Sequence, residues 1–381
     1  MKTDQTKKPG VFSYISLGDV HLGHRQTPAT HIIRNLNRLI HDELLKTLDA
    51  IFITGDLFDR QLNNGDDDVH AINRWITFLM FKCAAYDVHI YIVEGTPSHD
   101  RMQSQFFVEQ KVNANIPVNL HYAKELEIVY NERFDAHILF VPDKWHPSTA
   151  VTLSQVKELM AAKGLEQVDF AIMHGAFSYQ LPSIVEEPTH DEVEYRKLVR
   201  HQILIGHVHI QTVTEKIYAA GSFDRICHND EIPKGMFLFN VRQDGTFDAQ
   251  FIENKWAKQY VTWDVHGLDT KELNHAVKER IKGLPRGSSI RLRCDPGDVA
   301  NGDIDSFRKE YPEQDWQITV EKATAKKNTV MESIRNFDMS EFVPITKDNL
   351  LELLLYELET NGHSETTVER CAKRYTDYIK G

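Results

Sequence analysis

Short apolar runs recur through the first half of the chain at 11–17, 50–54, 89–93, 137–141, 170–173 and 202–205, rich in Val, Ile, Phe and Leu. Runs this short and this continuously apolar predict buried strands. Between them, apolar residues fall at helical spacing over 29–47, 67–85, 101–113 and 152–163, each after a polar start, which predicts four helices. Strands alternating with helices up to about residue 180 predict an α/β chain, its sheets layered with helices. The helix over 67–85 carries Trp75, Phe78, Leu79 and Phe81. Its apolar side is expected to pack on the protein's own core, with a two-fold interface the alternative use.

Farther on, strands dominate at 216–219, 235–241 and 246–252, punctuated by Gly221, Gly235 and Gly245. They are expected to close a first domain spanning 1–255. A β-α-β-α-β order then follows, with strands at 260–265, 289–294 and 316–321 and helices at 270–282 and 304–311, a small second domain over 256–328. Residues 323–328 are polar and basic, as in a linker. The last region, 329–381, predicts a helix pair at 348–358 and 366–379, the first with Leu350, Leu351, Leu353, Leu354 and Leu355. Such a face suits packing on the body of the protein or docking in a partner's groove.

Charge and cysteine content narrow the picture. A formal charge of -12 argues against generic polyanion binding, because non-specific affinity for nucleic acid comes mainly from Lys and Arg. Bound dications would reverse the local sign, so an acidic chain can still attract phosphate at one face. Cys83, Cys227, Cys294 and Cys371 are far apart and show no CxxC spacing. They read as reduced thiols, and with no signal peptide and no apolar run near the roughly 20 residues of a membrane span, a cytoplasmic protein is expected.

The chemistry sits where apolar runs end. Asp19 and His21 follow the first run, Asp56 the second, His99 and Asp100 the third, His174 the fifth, and His207 and His209 the sixth. In open α/β sheets, sites form outside the carboxyl ends of strands, so residues scattered in sequence can converge on one rim. One His after a strand is more often a satisfied polar residue than a ligand; the whole ordered set predicts a mixed oxygen and nitrogen shell for two divalent cations. Such a pair serves phosphate-ester hydrolysis, since it activates water and quenches charge on phosphoryl oxygens.

These words resemble the calcineurin-like metallophosphoesterase superfamily, whose pattern is D-x-H, G-D-x-x-D, G-N-H-D or G-N-H-E, a later H, and G-H-x-H. Here they read Asp19-Val20-His21, Gly55-Asp56-Leu57-Phe58-Asp59, a variant third motif, His174, and Gly206-His207-Val208-His209. Leu17-Gly18-Asp19-Val20-His21-Leu22-Gly23 and Gly55-Asp56-Leu57-Phe58-Asp59 are most similar to the SbcD-type nuclease subunits of bacteria and bacteriophages, and Tyr218-Ala219-Ala220-Gly221-Ser222 also resembles their segment after G-H-x-H. The likeness covers about residues 11 to 250 by motif and the rest by layout. It implies an αββα sandwich with a small capping domain and C-terminal helices, and a nuclease, exonuclease or endonuclease, of DNA repair and recombination. It also implies two divalent cations, Mn2+ expected and Mg2+ the alternative, an SbcC-type coiled-coil ATPase as partner, and a homodimer.

Carried over by position, Asp19, His21, Asp56 and His209 would hold the first cation, and Asp56, His174 and His207 the second. His99 would protonate the leaving oxygen, with the Asp59 carboxylate orienting it. The third motif departs from the pattern: Gly95-Thr96-Pro97-Ser98-His99-Asp100 lacks the Asn that ligates the second cation. Ser98 is the expected substitute, with Thr96, a backbone carbonyl or water as alternatives. Arg60 and Arg225 are candidate phosphate contacts, and Trp145 with His146 a candidate base platform. A small-molecule phosphodiesterase, a phosphatase and a weakened scaffold subunit are the competing functions.

Overall fold

The computed structural model describes residues 7–320, apart from 9, 64, 144–147, 183, 184, 186, 229 and 231. β1 (Val11–Leu17) leads through α1 (Ala29–Leu39) and α2 (Asp42–Leu45) to β2 (Ala50–Ile53), then α3 (Asp67–Tyr86), β3 (His89–Val93), α4 (Gln105–Asn113) and β4 (Leu120–Ala123). Next come β5 (Glu127–Asn131), β6 (Ala136–Val141), α5 (Thr149–Ala162), β7 (Val168–His174), α6 (Glu192–Leu198), β8 (Val199–Gly206), β9 (Thr212–Thr214) and β10 (Ile217–Ala219). β11 (Gly235–Arg242) and β12 (Phe247–Glu253) then return to the first sheet, whose order is β12-β11-β1-β2-β3-β4; the second sheet runs β5-β6-β7-β8-β10-β9.

Both sheets are mixed: β1 to β4 pair in parallel while β11 and β12 add antiparallel, and β5 and β9 are antiparallel edges on the parallel β6-β7-β8-β10. Parallel strands covered on both faces read as unbroken apolar runs, and every residue of β2 and β7 is buried. The inner faces meet in one core, with Tyr14, Phe52 and Tyr91 from the first sheet against Ile138, Phe140, Phe170 and Leu204 from the second. Ile32, Leu36, Ile72, Ile76 and Phe107 cover the outer face of the first sheet, and Val156, Met160 and Tyr195 that of the second. In α3, Trp75 and Leu79 join this core while Phe78 and Phe81 are 52% and 48% exposed.

A three-stranded parallel sheet follows, β13 (Tyr260–Asp264), β14 (Ser289–Cys294) and β15 (Asp315–Val320), with α7 (Thr270–Ile281) and α8 (Val299–Glu310) between them. Asp269 starts α7 by accepting from the backbone of Lys271 and Glu272, and Glu272 reaches back to its N–H, so two otherwise unpaired donors are satisfied reciprocally. The small sheet belongs to one compact unit, Met1–Glu321, with the two large ones. The helix pair expected at 348–358 and 366–379 lies outside the described residues. Among those described, no helix is long and apolar enough to cross a membrane.

Element boundaries differ from the sequence pattern where a side chain competes for the backbone. The helix expected over 29–47 divides at His41, which is extended and accepts from the Leu44 N–H at 3.2 Å to start a new turn. The one expected at 101–113 begins only at Gln105, because Arg101 and Met102 take φ of 46° and 59° and the Met102 N–H is held by Glu94 Oε1 at 2.5 Å. The pattern did not predict β4, β5, β9 or α6. Half-buried strands such as β4 and β5 lack a continuous apolar run.

Candidate metal centre

The ends of β1, β2, β3, β7 and β8 lie at one rim, and the segments leaving them carry Asp19, His21, Asp56, Thr96, His174, His207 and His209. At this rim three sets of side chains each place ligand atoms within 4.8 Å of one another: Asp19 with His21 and His209, Asp56 with His174 and His207, and His21 with Asp59 and His99. His/Asp groups are thus positioned where they could hold metal ions. All of Asp19, His21, Asp56 and His174 are buried, which acidic and basic side chains tolerate only when paired or ligating.

The local backbone is bent to achieve this. Asp19, His21, Asp56 and His207 have φ of 49°, 53°, 46° and 117°, left-handed conformations that cost non-glycine residues about 1–3 kcal/mol each and persist only where the surroundings impose them. Glycine allows the chains to approach: a Cβ on Gly95 would collide with the backbone N and Oδ1 of Asp56, and one on Gly55, at φ 86°, with the His174 ring.

Hydrogen bonds then set which ring atoms face inward. His174 Nδ1 donates to the Thr54 carbonyl at 2.7 Å, so Nε2 faces Asp56 Oδ1 at 3.3 Å and the Thr96 hydroxyl at 3.1 Å. A fixed second nitrogen of this kind sets the tautomer of a ligating histidine. Thr96 Oγ1 also lies 3.2 Å from Asp56 Oδ2 and 3.3 Å from His207 Nδ1. Its N–H donates to Asp56 Oδ1 at 2.6 Å. In the other set, Nε2 of His21 and Nε2 of His209 face each other at 3.0 Å. Asp19 accepts from the His207 N–H with both oxygens, at 2.8 and 3.1 Å. Buried Lys234 donates to the His209 carbonyl at 2.8 Å while paired with Asp230, fixing the last loop from below.

Titration follows these contacts. Burial alone would lower His174, but the charge and hydrogen bond of Asp56, with Asp19 behind them, raise it to about 10. Burial works the opposite way on Asp56, and His174 outweighs it, holding the carboxyl well below its usual range. His209 is pushed down to about 3 by burial, with His21 and Lys234 adding to it. Asp100 is fully buried and rises to about 8 through burial, then Asp56 and Glu94. It nevertheless accepts from the N–H groups of Phe58 and Gly95, at 2.9 and 2.8 Å, and so ties the second motif to the third.

Ser98, Asp59, Arg60 and Arg225 sit differently from the pattern expected of them. Ser98 is exposed on the turn, while Thr96 touches all three members of the Asp56 set. The Asp59 carboxylate does not orient His99. It lies 3.2 Å from His21 Nδ1, and His99 Nδ1 donates instead to the Asp59 backbone carbonyl at 3.0 Å. Arg60 donates to the Gly23 carbonyl and pairs with Asp66, both at 3.0 Å. Arg225 reaches the carbonyls of Ala257 and Lys258. Both arginines therefore brace loops beside the centre. Trp145 and His146 lie outside the described residues. Glu187, on the segment before α6, lies 3.3 Å from His207 Nε2, a contact that no local sequence signal announces.

No family model matches the chain, and no curated protein matches it. Among the solved structures that match, one covers 63% of this chain and 99% of its own, at 9% identity and a TM-score of 0.36, too slight a likeness to carry any argument.

Proposed function

We propose that the chain is a two-cation phosphodiesterase acting on DNA, with the αββα architecture and the SbcD-type role that its motifs resemble. The observation that supports this best is the gathering of two buried ligand sets at one sheet rim, on backbone bent into left-handed conformations. The donors fit divalent cations: carboxylate oxygens mixed with imidazole nitrogens, one histidine locked in a single tautomer. Asp19, His21 and His209 would hold one cation and Thr96, His174 and His207 the other, with Asp56 shared. Two cations held there supply an activated water at neutral pH and neutralise charge on the phosphoryl group. Nitrogen ligands favour Mn2+ over Mg2+, which prefers oxygen and retained water.

The protein's own groups do the rest. Because the Asp59 carbonyl can only accept, His99 Nδ1 carries its proton, which leaves Nε2 to hold or release a second one. His99 Nε2 therefore protonates the leaving oxygen. Asp59 acts on His21 instead, keeping that ring oriented with its carboxylate. The partners belonging to this proposal are an SbcC-type ATPase, docking on residues beyond about 340, and a second copy of the chain, meeting at α3 through Phe78 and Phe81.

Thr96 offers an internal check. Thr96→Ala is expected to weaken the second of two Mn2+ binding steps by about ten- to a hundredfold while sparing the first, and Thr96→Ser to restore it. Titration calorimetry reads both steps. The function itself is tested by incubating the protein with linear duplex DNA, bis(p-nitrophenyl) phosphate and p-nitrophenyl phosphate, in Mn2+ and in EDTA. Mn2+-dependent DNA cleavage is expected. Hydrolysis confined to a small ester would make it a small-molecule enzyme, and no hydrolysis with cations bound would make it a scaffold.

A further inference from the structure

A cleft of about 670 Å3 opens between the loop after His21, α1, the segment joining β12 to β13, and the turns of the small domain. Arg25, Arg34, Arg38, Lys255, Lys258 and Arg286 line it. Only two carboxylates, Glu313 and Asp315, share the lining, so six cations less two anions leave +4 on a chain of -12. Arg25, Arg34, Lys255 and Arg286 are exposed and make no ion pair or hydrogen bond among the described residues. Unpaired cations gathered in a concavity repel one another, and on an otherwise acidic surface their natural counterion is a polyanion.

An aromatic side chain stands among them. Trp256 is 49% exposed, and the Arg38 guanidinium lies 5.0 Å from its ring centroid. Its backbone is fixed on both sides, the N–H donating to Asn254 Oδ1 at 3.2 Å and the carbonyl accepting from Asn35 Nδ2 at 3.0 Å. Asn35 and Asn254 both donate to the buried Asp224 carboxylate, so the platform is rigid. A half-exposed indole held in place offers a large apolar face on which a base can stack. Cations that track phosphates beside an aromatic that stacks bases make up the recognition surface for single-stranded nucleic acid. Paired bases keep their faces inside the duplex and offer none to Trp256.

A short stretch of chain also links the cleft to the candidate metal centre. The His24 N–H donates to the His21 carbonyl at 3.1 Å, and His24 Nδ1 accepts from Gln26 and Thr27. Arg25 and Gln26 line the cleft, and Lys258 donates to the Gln26 carbonyl. One tight turn thus joins the ligand His21 to the basic wall.

We propose that this cleft binds a single strand of DNA running from the metal centre, its phosphates on Arg25, Arg34, Lys255 and Arg286 and a base stacked on Trp256. The proposal rests on the phosphodiesterase reading for the identity of the strand. It is tested with the full chain and fluorescein-labelled oligothymidylate, followed by anisotropy in EDTA so that nothing is hydrolysed. Binding is expected to weaken with salt, and Arg34→Ala combined with Arg286→Ala to flatten the log–log salt slope by about 1.4, from roughly 0.7 per phosphate neutralised. Trp256→Ala is expected to weaken binding about five- to a hundredfold, and Trp256→Phe to recover much of it. Wild-type affinity and slope in the double variant, or equal affinity for a duplex of the same length, would overturn the proposal. Wild-type protein that cleaves DNA while the cleft variants bind normally would sink the cleft alone. Loss of binding in those variants beside a wild type that never cleaves any phosphoester would sink the phosphodiesterase reading and leave the cleft standing.

Discussion

Asp56→Asn is expected to abolish phosphodiester hydrolysis and to release at least one bound Mn2+. The amide keeps the shape of the carboxylate and one oxygen for the Thr96 N–H, so the loop that Asp56 organises stays in place. What it loses is a charge that His174 contacts at 3.3 Å and that acts on Asp19 and His21 as well. Without that charge the cations Asp56 would help to hold would bind less well, and their polarisation of phosphoryl oxygens would supply several kcal/mol, of which about 4 kcal/mol is roughly a thousandfold in rate. Asp59→Asn is the control, since the Asp59 carboxylate lies against His21 Nδ1 and outside the Asp56 set, and its carbonyl, which His99 uses, is kept. It should keep both cations and lose far less activity. Equal metal loss in the two variants, read by calorimetric titration with Mn2+, would refute the shared role of Asp56.

The next largest effect belongs to His99. His99→Ala is expected to lower turnover by about 10² to 10⁴, the usual contribution of a positioned proton donor, and to leave Mn2+ content unchanged. The geometry makes the second half of that expectation a real risk. His99 lies in a set with His21 and Asp59 whose ligand atoms are close enough to grip an ion, and its ring centroid is 5.1 Å from that of His21. A variant that loses Mn2+ along with activity would move His99 from proton donor to ligand.

Much of the α/β architecture is legible in the chain because its central strands are parallel and buried on both faces. β1, β2, β3, β7 and β8 each write a short apolar word, and the polar residue that ends each word is carried to the same rim by the parallel pairing. Local patterning is silent about competition for backbone groups. Nothing at 101–104 shows that Glu94 will capture the Met102 N–H and delay α4, nor does 40–41 show that the His41 ring will restart a helix. β4 and β5 are half-buried and mix polar with apolar residues, so neither period stands out.

The candidate site divides in the same way. Residue types and spacing single out Asp19, His21, Asp56, His174, His207 and His209, and the structure gathers them into two sets. Which hydroxyl meets the Asp56 set depends on the path of a six-residue turn: Gly95 allows Thr96 to fold against Asp56, and the turn then carries Ser98 outward. Asp59 presents two acceptors, a carboxylate and a carbonyl, and the fold points them at different histidines. Sequence names the residue but not the atom. The basic cleft is less visible still, because its cations come from segments more than 200 residues apart and are diluted by an acidic total.

The most direct measurement is an anomalous difference map from crystals grown or soaked in Mn2+. Two peaks are expected, both touching the Asp56 carboxylate, one also bounded by Asp19, His21 and His209 and the other by Thr96, His174 and His207. A single peak, peaks that avoid Asp56, or no peak at a Mn2+ concentration that saturates calorimetric binding would contradict the two-cation centre.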